Sequence, residues 1–229
     1  MGIQERKERE RERRRQQIIV AAKRVFSEKG FNRATMEDIA QEAELSPGTL
    51  YLYFKNKDEL YASLSLRILQ YLNMRLDHVI KEEGIEPAKR IEALKAAIYD
   101  VYQFDPLILI NLFHLQSSET LKNLSPELFD DIQKLSSGSL DRITILFRSG
   151  IDGGLFDSFD PVVLAEILWS LFSGMVLWEE SKRILDDDNN FLKDTLDMAF
   201  EIFLRGIGKV REEDPGSKGH RIGHPASSI

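Results

Sequence analysis

Residues 46–60 read S-P-G-T-L-Y-L-Y-F-K-N-K-D-E-L. Ser46 can cap a helix by accepting a backbone N–H. Pro47 suits the first helical position, where its missing N–H costs nothing. Gly48 and Thr49 keep that first turn small. Asn56 begins a second cap pattern, with Glu59 three residues on. The helix between the two caps, 47–53, is too short to persist alone in water. A DNA major groove accepts a short helix whose first turn is free of bulk.

Working outward, Gly30 ends one helix and Phe31 folds back on it, as glycine caps do. Thr35 opens the next helix, with Asp38 three residues later as an acidic capping box. Met36, Ile39, Ala40 and Ala43 fall on one face at helical spacing. Glu44-Leu45 makes a tight turn into Ser46. Helix, short turn, short helix is the helix-turn-helix pattern.

Three strings carry a family resemblance: F-S-E-K-G-F at 26–31, T-M-E-D-I-A-Q-E-A at 35–43, and G-T-L-Y-L-Y-F-K-N-K-D-E-L at 48–60. Through them, residues 16–61 resemble the TetR family of transcriptional regulators. The likeness fades after about Leu64. It implies that Thr49, Tyr51 and Tyr53 face DNA and that Lys57 meets phosphate at the start of the fourth helix. It implies that Gly48 allows close backbone approach beside Pro47, and that Thr35 and Ser46 cap helices while pointing at phosphate. Leu50 and Phe54 read as core. The resemblance further implies a homodimer joined by the last two long helices, and an effector cavity.

The chain has 229 residues, is 42% hydrophobic and carries a formal charge of −7. Residues 1–60 hold 13 Lys+Arg against 11 Asp+Glu, and the remainder 18 against 27, so the two parts sum to +2 and −9. The acidic excess therefore sits away from the proposed DNA surface, and exposed charges are screened beyond about 10 Å in 0.1 M salt. Cysteine is absent, which removes disulfide and thiolate chemistry. The first 15 residues are charged, unlike a secretory signal. The longest apolar run, Val162–Trp178, contains Glu166 and falls short of a bilayer span. A soluble cytoplasmic protein with no membrane partner is expected. No phosphate-binding glycine loop, nucleophile elbow or metal-ligand spacing occurs, so neither a cofactor nor an enzyme activity is expected.

The expected fold is all-α. A basic arm (1–15) precedes a helix-turn-helix domain (16–60), a ligand-binding and dimerisation domain (61–210) and a disordered tail (211–229). The arm alternates Arg/Lys with Glu. It reads equally as a phosphate- or minor-groove-contacting segment and as a solvated, frayed end. Ile18, Ala22, Val25 and Phe26 give the next helix its core face. From Lys57, the stripe Leu60, Leu64, Ile68, Leu72, Leu76 and Ile80 predicts a long helix ending near Gly84. Further helices are expected at 87–104, 106–117, 125–149, 161–185 and 191–207, with prolines at or near four of their starts. Gly150–Gly154 is expected to break the chain. No segment alternates with the period of a strand.

The helix at 161–185 is apolar on nearly every side, which predicts burial all round. Glu166, Ser170, Ser173 and Gly174 share one face that would let another backbone approach. Leu192, Leu196, Ala199, Phe200 and Phe203 form a stripe on the last helix, and the two helices are expected to build the dimer interface. Trp169, Phe172 and Met175, with Phe104, Phe113 and His114 from the earlier helices, are the candidate lining of an apolar effector site. For each of them core packing is the competing reading. The function expected is a ligand-responsive, DNA-binding regulator, more readily a repressor. The partners expected are a double-stranded operator and a small apolar or amphipathic effector. The alternatives are a helical apolar-ligand carrier or enzyme whose first helices are only structural, and a DNA-bound structural protein that needs no ligand.

Overall fold

Gly30 sets the first corner of the chain. In the computed structural model, which describes residues 2–82, 84–116, 119–185 and 192–209, α1 (Ile3–Arg33) runs as one helix to that point. Gly30 then takes φ 73° and ψ 162°, a conformation that side chains other than glycine rarely adopt. The turn brings Phe31 back so that its ring centroid lies 5.8 Å from Phe26 and 4.5 Å from Tyr61.

The next three helices start on the caps expected of them. For α2 (Met36–Glu42), Thr35 Oγ1 accepts from the Asp38 amide and the Asp38 carboxylate accepts from the Thr35 amide, both at 3.1 Å. For α3 (Pro47–Tyr51), Ser46 Oγ accepts from the Thr49 amide at 3.1 Å. This helix is shorter than 47–53 because the Leu52 and Tyr53 amides bond to Thr49 and Leu50, three residues back. Such bonds tighten a helix end. For α4 (Lys57–Lys81), Asn56 Oδ1 accepts from the Glu59 amide at 2.9 Å. The return bond is displaced by one residue: Glu59 accepts from the amide of Lys55 at 2.8 Å, not from that of Asn56.

Between α2 and α3 the chain reverses at Glu44, whose φ is 55°. The Leu45 amide reaches back to the Ala40 carbonyl at 2.8 Å, the longer bond of a glycine-type helix stop. A left-handed conformation costs a residue with a Cβ roughly 1–2 kcal/mol, and glycine's extra chain entropy cancels part of the relief. Glu44→Gly is therefore expected to stabilise the protein by about 0.5–1 kcal/mol, read as a higher midpoint in urea.

The second part is a helical stack around α4. It comprises α5 (Pro87–Phe104), α6 (Pro106–Gln116), a 3-10 turn at Glu119–Asn123, α7 (Pro126–Asp152), α8 (Pro161–Leu185) and α9 (Leu192–Ile207). Leu60, Leu64, Ile68, Leu72 and Leu76 are buried as their spacing predicted, and Ile80 is half-buried. Asn73 Nδ2 ties α4 to α7 by donating to the Leu135 carbonyl and Ser139 Oγ, and Arg142 holds Asp77 with two hydrogen bonds at 2.7 and 3.2 Å. That guanidinium holds the Asp77 carboxyl below its usual range. The bond contributes above the ordinary carboxylate pKa and fades as pH falls through the lowered one.

Three expectations need refinement or correction. The glycine break expected over Gly150–Gly154 falls at its far end: Gly150 stays inside α7 under the Phe156 ring, where a Cβ would stand 2.4 Å from that ring. The chain turns at Gly154, with φ 70°. Second, α8 is not buried on every side. Leu164, Ala165, Leu168, Phe172 and Val176 face the core, while Val163, Ile167, Leu171 and Trp178 stand exposed on the outer face with Ser170 and Gly174 among them. By length and composition its segment Pro161–Lys182 could cross a membrane, which the shorter run Val162–Trp178 had not suggested. Third, the stripe on α9 is internal. Leu192, Leu196 and Phe200 are buried, Phe203 meets the Phe147 ring at 5.8 Å, and the exposed apolar residues are Met198 and Ile202. Among the described residues there is no strand beyond an isolated bridge between Phe156 and Gly208. The expected tail lies outside the described residues.

Candidate DNA-binding interface and effector core

The start of α3 is small and open. Pro47 and Gly48 are exposed, and the nearest atom to a Cβ placed on Gly48 would be Ser46 Oγ at 4.0 Å. Ser46 Oγ and Thr49 Oγ1 lie 2.8 Å apart, so the first turn presents its two hydroxyls as a pair. Tyr51 and Leu52 are exposed, Tyr53 is half-buried against the core, and Leu50 and Phe54 are fully inside. A flat surface can therefore approach the Pro47–Thr49 backbone without meeting a bulky side chain, with the Tyr51 ring available beside it.

Thr35 is exposed at the start of α2. Its partner Asp38 also meets Lys29 Nζ at 2.7 Å. The Lys29 hydrogen bond, followed by that from the Thr35 amide, holds the Asp38 carboxyl below its usual value. The acidic half of the cap is therefore fully in place at neutral pH and is lost only as pH falls through that lowered pKa.

Lys57 opens α4 as expected, and its ammonium turns to backbone carbonyls before Thr35. Its Nζ donates to the carbonyls of Phe31 and Ala34 at 2.7 and 3.0 Å and sits 4.5 Å from the centre of the Phe31 ring. The bend at Gly30 exposes those carbonyls, and an ammonium nearby satisfies them. Two of its three N–H donors thus brace the turn before Thr35. Lys55, in the preceding turn, is exposed. Sequence reading passed over Lys55; its signal was a second cation two residues before Lys57.

The six residues expected to line an effector site divide into three groups. Phe113, Trp169 and Phe172 come together, with ring centroids 5.7–5.9 Å apart. Met175 is half-buried one turn further along α8. Phe104 lies elsewhere: it is 49% exposed and stacks on Tyr71 with centroids 4.2 Å apart. His114 is on the exposed side of α6. The rings that meet fill one another's space, and Phe172 is fully buried. An apolar hollow of about 300 Å³ occurs at a different place, bordered by Ile91, Leu155, Phe156 and Leu204.

Helix α6 touches the first helices at two points that sequence reading did not identify. Asp105, buried between α5 and α6, forms an ion pair with Lys23 of α1 and accepts from the Ile108 amide at 3.3 Å. Six residues on, Asn111 Oδ1 accepts from the Tyr61 hydroxyl of α4 at 2.6 Å, in the core. Burial pushes the Tyr61 phenol up to about 12, so it remains a donor. The Tyr61 ring in turn packs edge-on against Phe26 and tilted against Phe31. A chain of contacts thus runs from α6 through Tyr61 and Phe31 to Lys57 and the Thr35 cap. Asp-Pro at a helix junction was the available signal for Asp105; nothing local marks Asn111.

The chain is similar to known gene regulators. Residues 18–64 match the sequence model of the bacterial regulatory proteins of the tetR family. The uncharacterized HTH-type transcriptional regulator YhgD of Bacillus subtilis (strain 168) is 24% identical over 193 residues, covering 83% of this chain and 94% of the relative. The fatty acid metabolism regulator protein of the same organism is 27% identical with the same coverage. The crystal structure of FadR from Bacillus subtilis in complex with stearoyl-CoA superposes with a TM-score of 0.62 at 23% identity, over 84% of this chain and 98% of that one.

Proposed function

The chain belongs to the TetR family of bacterial regulatory proteins, and from that membership we propose a homodimeric repressor that leaves a palindromic operator when an apolar or amphipathic effector binds. The observation that carries the DNA half is the open first turn of α3. In this reading Pro47, Gly48, Thr49 and Tyr51 enter the major groove, and Thr49 and Tyr51 meet base edges. Ser46, Thr35 and Tyr53 lie at the phosphates and set register without reading sequence. Lys57 contributes chiefly by bracing the Thr35 turn, and its third N–H is left for phosphate.

For the effector half, the Phe113–Trp169–Phe172 cluster is the part of the core that an acyl or aromatic group would enter, by parting the rings. A regulator of fatty acid metabolism among the relatives, and stearoyl-CoA in a structure of similar fold, support an amphipathic ligand. An effector shifts the equilibrium only by binding one arrangement better than the other. Displacing α6 would act on Asn111–Tyr61 and on Asp105–Lys23 together, altering the spacing of the two reading helices in a dimer.

The test is operator release, followed by fluorescence anisotropy, against acyl-CoA esters of graded chain length. Release that strengthens with chain length is expected; release by none of them, with the operator still bound, would remove this effector class. Asp105→Asn keeps an oxygen for the Ile108 amide and removes the ion pair. It is expected to leave operator affinity within about threefold and to weaken coupling between effector and operator, which in allosteric proteins amounts to roughly 1–3 kcal/mol.

A further inference from the structure

The helix of α1 does not begin at the buried residue Ile18. It continues in the N-terminal direction to Ile3 without a break, about 22 Å of rigid rod at 1.5 Å per residue. Its base is anchored just after the reading helix and faces the turn before it across a groove. Arg13 and Arg14 border a groove of about 500 Å³ with Glu42, Ala43 and Glu44, just before Ser46. The Arg15 guanidinium sits 4.8 Å above the Phe54 ring, just after α3, and 3.4 Å from Ser63 Oγ.

One stripe of the rod is basic, with Glu10 on its flank. Lys7, Arg11, Arg14, Ile18, Ala21 and Val25 recur at alternating intervals of four and three, one continuous stripe of a helix. Over its last three members the stripe is buried against the other helices, while Lys7 and Arg11 are exposed and Arg14 is half-buried. The side of α1 that is apolar under the three-helix head is thus basic where it projects past it. Glu5, Glu8 and Glu12 gather about a third of a turn away. That face is occupied locally: Gln4 meets Glu8, and Gln16 meets Glu12 at 2.8 Å.

We infer that the Lys7–Arg11–Arg14 stripe lies along the phosphate backbone of the duplex that flanks each half-site. This rests on the DNA-binding reading of α3. A basic line on the head's own side, anchored by Arg15 beside the reading helix, matches a polyanion that extends past the site. Such contacts add affinity and salt dependence and carry no sequence information.

The experiment uses the full chain and its Lys7→Gln/Arg11→Gln variant, on a 40-base-pair mixed-sequence duplex and on the palindrome selected by the full chain. Each lost phosphate contact lowers the slope of log K against log salt by about 0.9. A fall of about two per protomer is expected on both duplexes, with a hydroxyl-radical footprint shortened at its outer edges and an unchanged preferred sequence. The Arg6→Gln/Arg9→Gln pair, on a different stripe, is expected to change the slope less. Unchanged slope and footprint in the first variant would overturn the inference and leave the reading of α3 standing. A variant that instead shifts only dimer dissociation, or only binding to phosphatidylserine vesicles, would overturn it in favour of that partner. If the full chain bound neither duplex, both readings would fail together.

Discussion

A chain carrying Ile167→Glu and Ile202→Glu is expected to be a folded monomer that no longer protects a palindromic operator. Both side chains lie on outer faces, Ile167 on α8 and Ile202, 64% exposed, on α9. On α8, Val163, Leu171 and Trp178 are exposed along with Ile167, and on α9 Met198 is exposed one turn before Ile202. Exposed apolar stripes of this kind mark an association surface, and a second copy satisfies them by symmetry. Neither glutamate would disturb the core, since Leu168, Phe172, Leu196 and Phe200 occupy the inner faces. Uncoupling two half-sites removes an avidity gain of roughly 10²–10⁴, so operator affinity should fall by that factor while helical content stays constant. Sedimentation velocity and anisotropy on one sample would show both effects. A doubly substituted chain that remained a dimer would move the interface elsewhere.

Phe172→Ala has the largest expected effect on stability. The ring is fully buried and meets both Phe113 and Trp169. Removing a buried phenylalanine typically costs about 3–5 kcal/mol through lost transfer energy and the cavity left behind. Chemical denaturation should show that loss. If an effector enters by parting these rings, the enlarged space should also bind it more readily. The ligand-induced rise in stability would then be greater in Phe172→Ala than in the parent chain. The two tryptophans report separately. Trp169 is part of the ring cluster, whereas Trp178 is 66% exposed on the outer face. Effector should alter the emission of Trp169, and dilution to monomer that of Trp178, each read in a single-tryptophan variant.

These two regions show what a sequence can and cannot specify. The helix-turn-helix was legible because its determinants are local. Thr35 with Asp38, Ser46 with Thr49 and Asn56 with Glu59 are bonds across three residues, and Gly30 needs only its own backbone. The position of Lys57 was not legible, because its partners are carbonyls 26 and 23 residues earlier that only the Gly30 bend brings near. Periodicity located α8 but could not rank its faces, since Val163 and Leu164 are equally apolar and only packing separates them. The same limit applies to α6. Phe113 turns inward and His114 outward because Asp105 fixes where that helix begins, and a rotation of one residue would exchange them.

The most direct test of the central claim is selection of the purified full-length chain against a pool of random duplexes, with the enriched site footprinted at two salt concentrations. One enriched sequence is expected, with dyad symmetry and half-site centres roughly 34–36 Å apart, together with affinity that falls steeply with salt and a preference that Thr49→Ala relaxes at one or two positions. Enrichment without a dyad, or no enrichment at all with the protein folded, would contradict the claim.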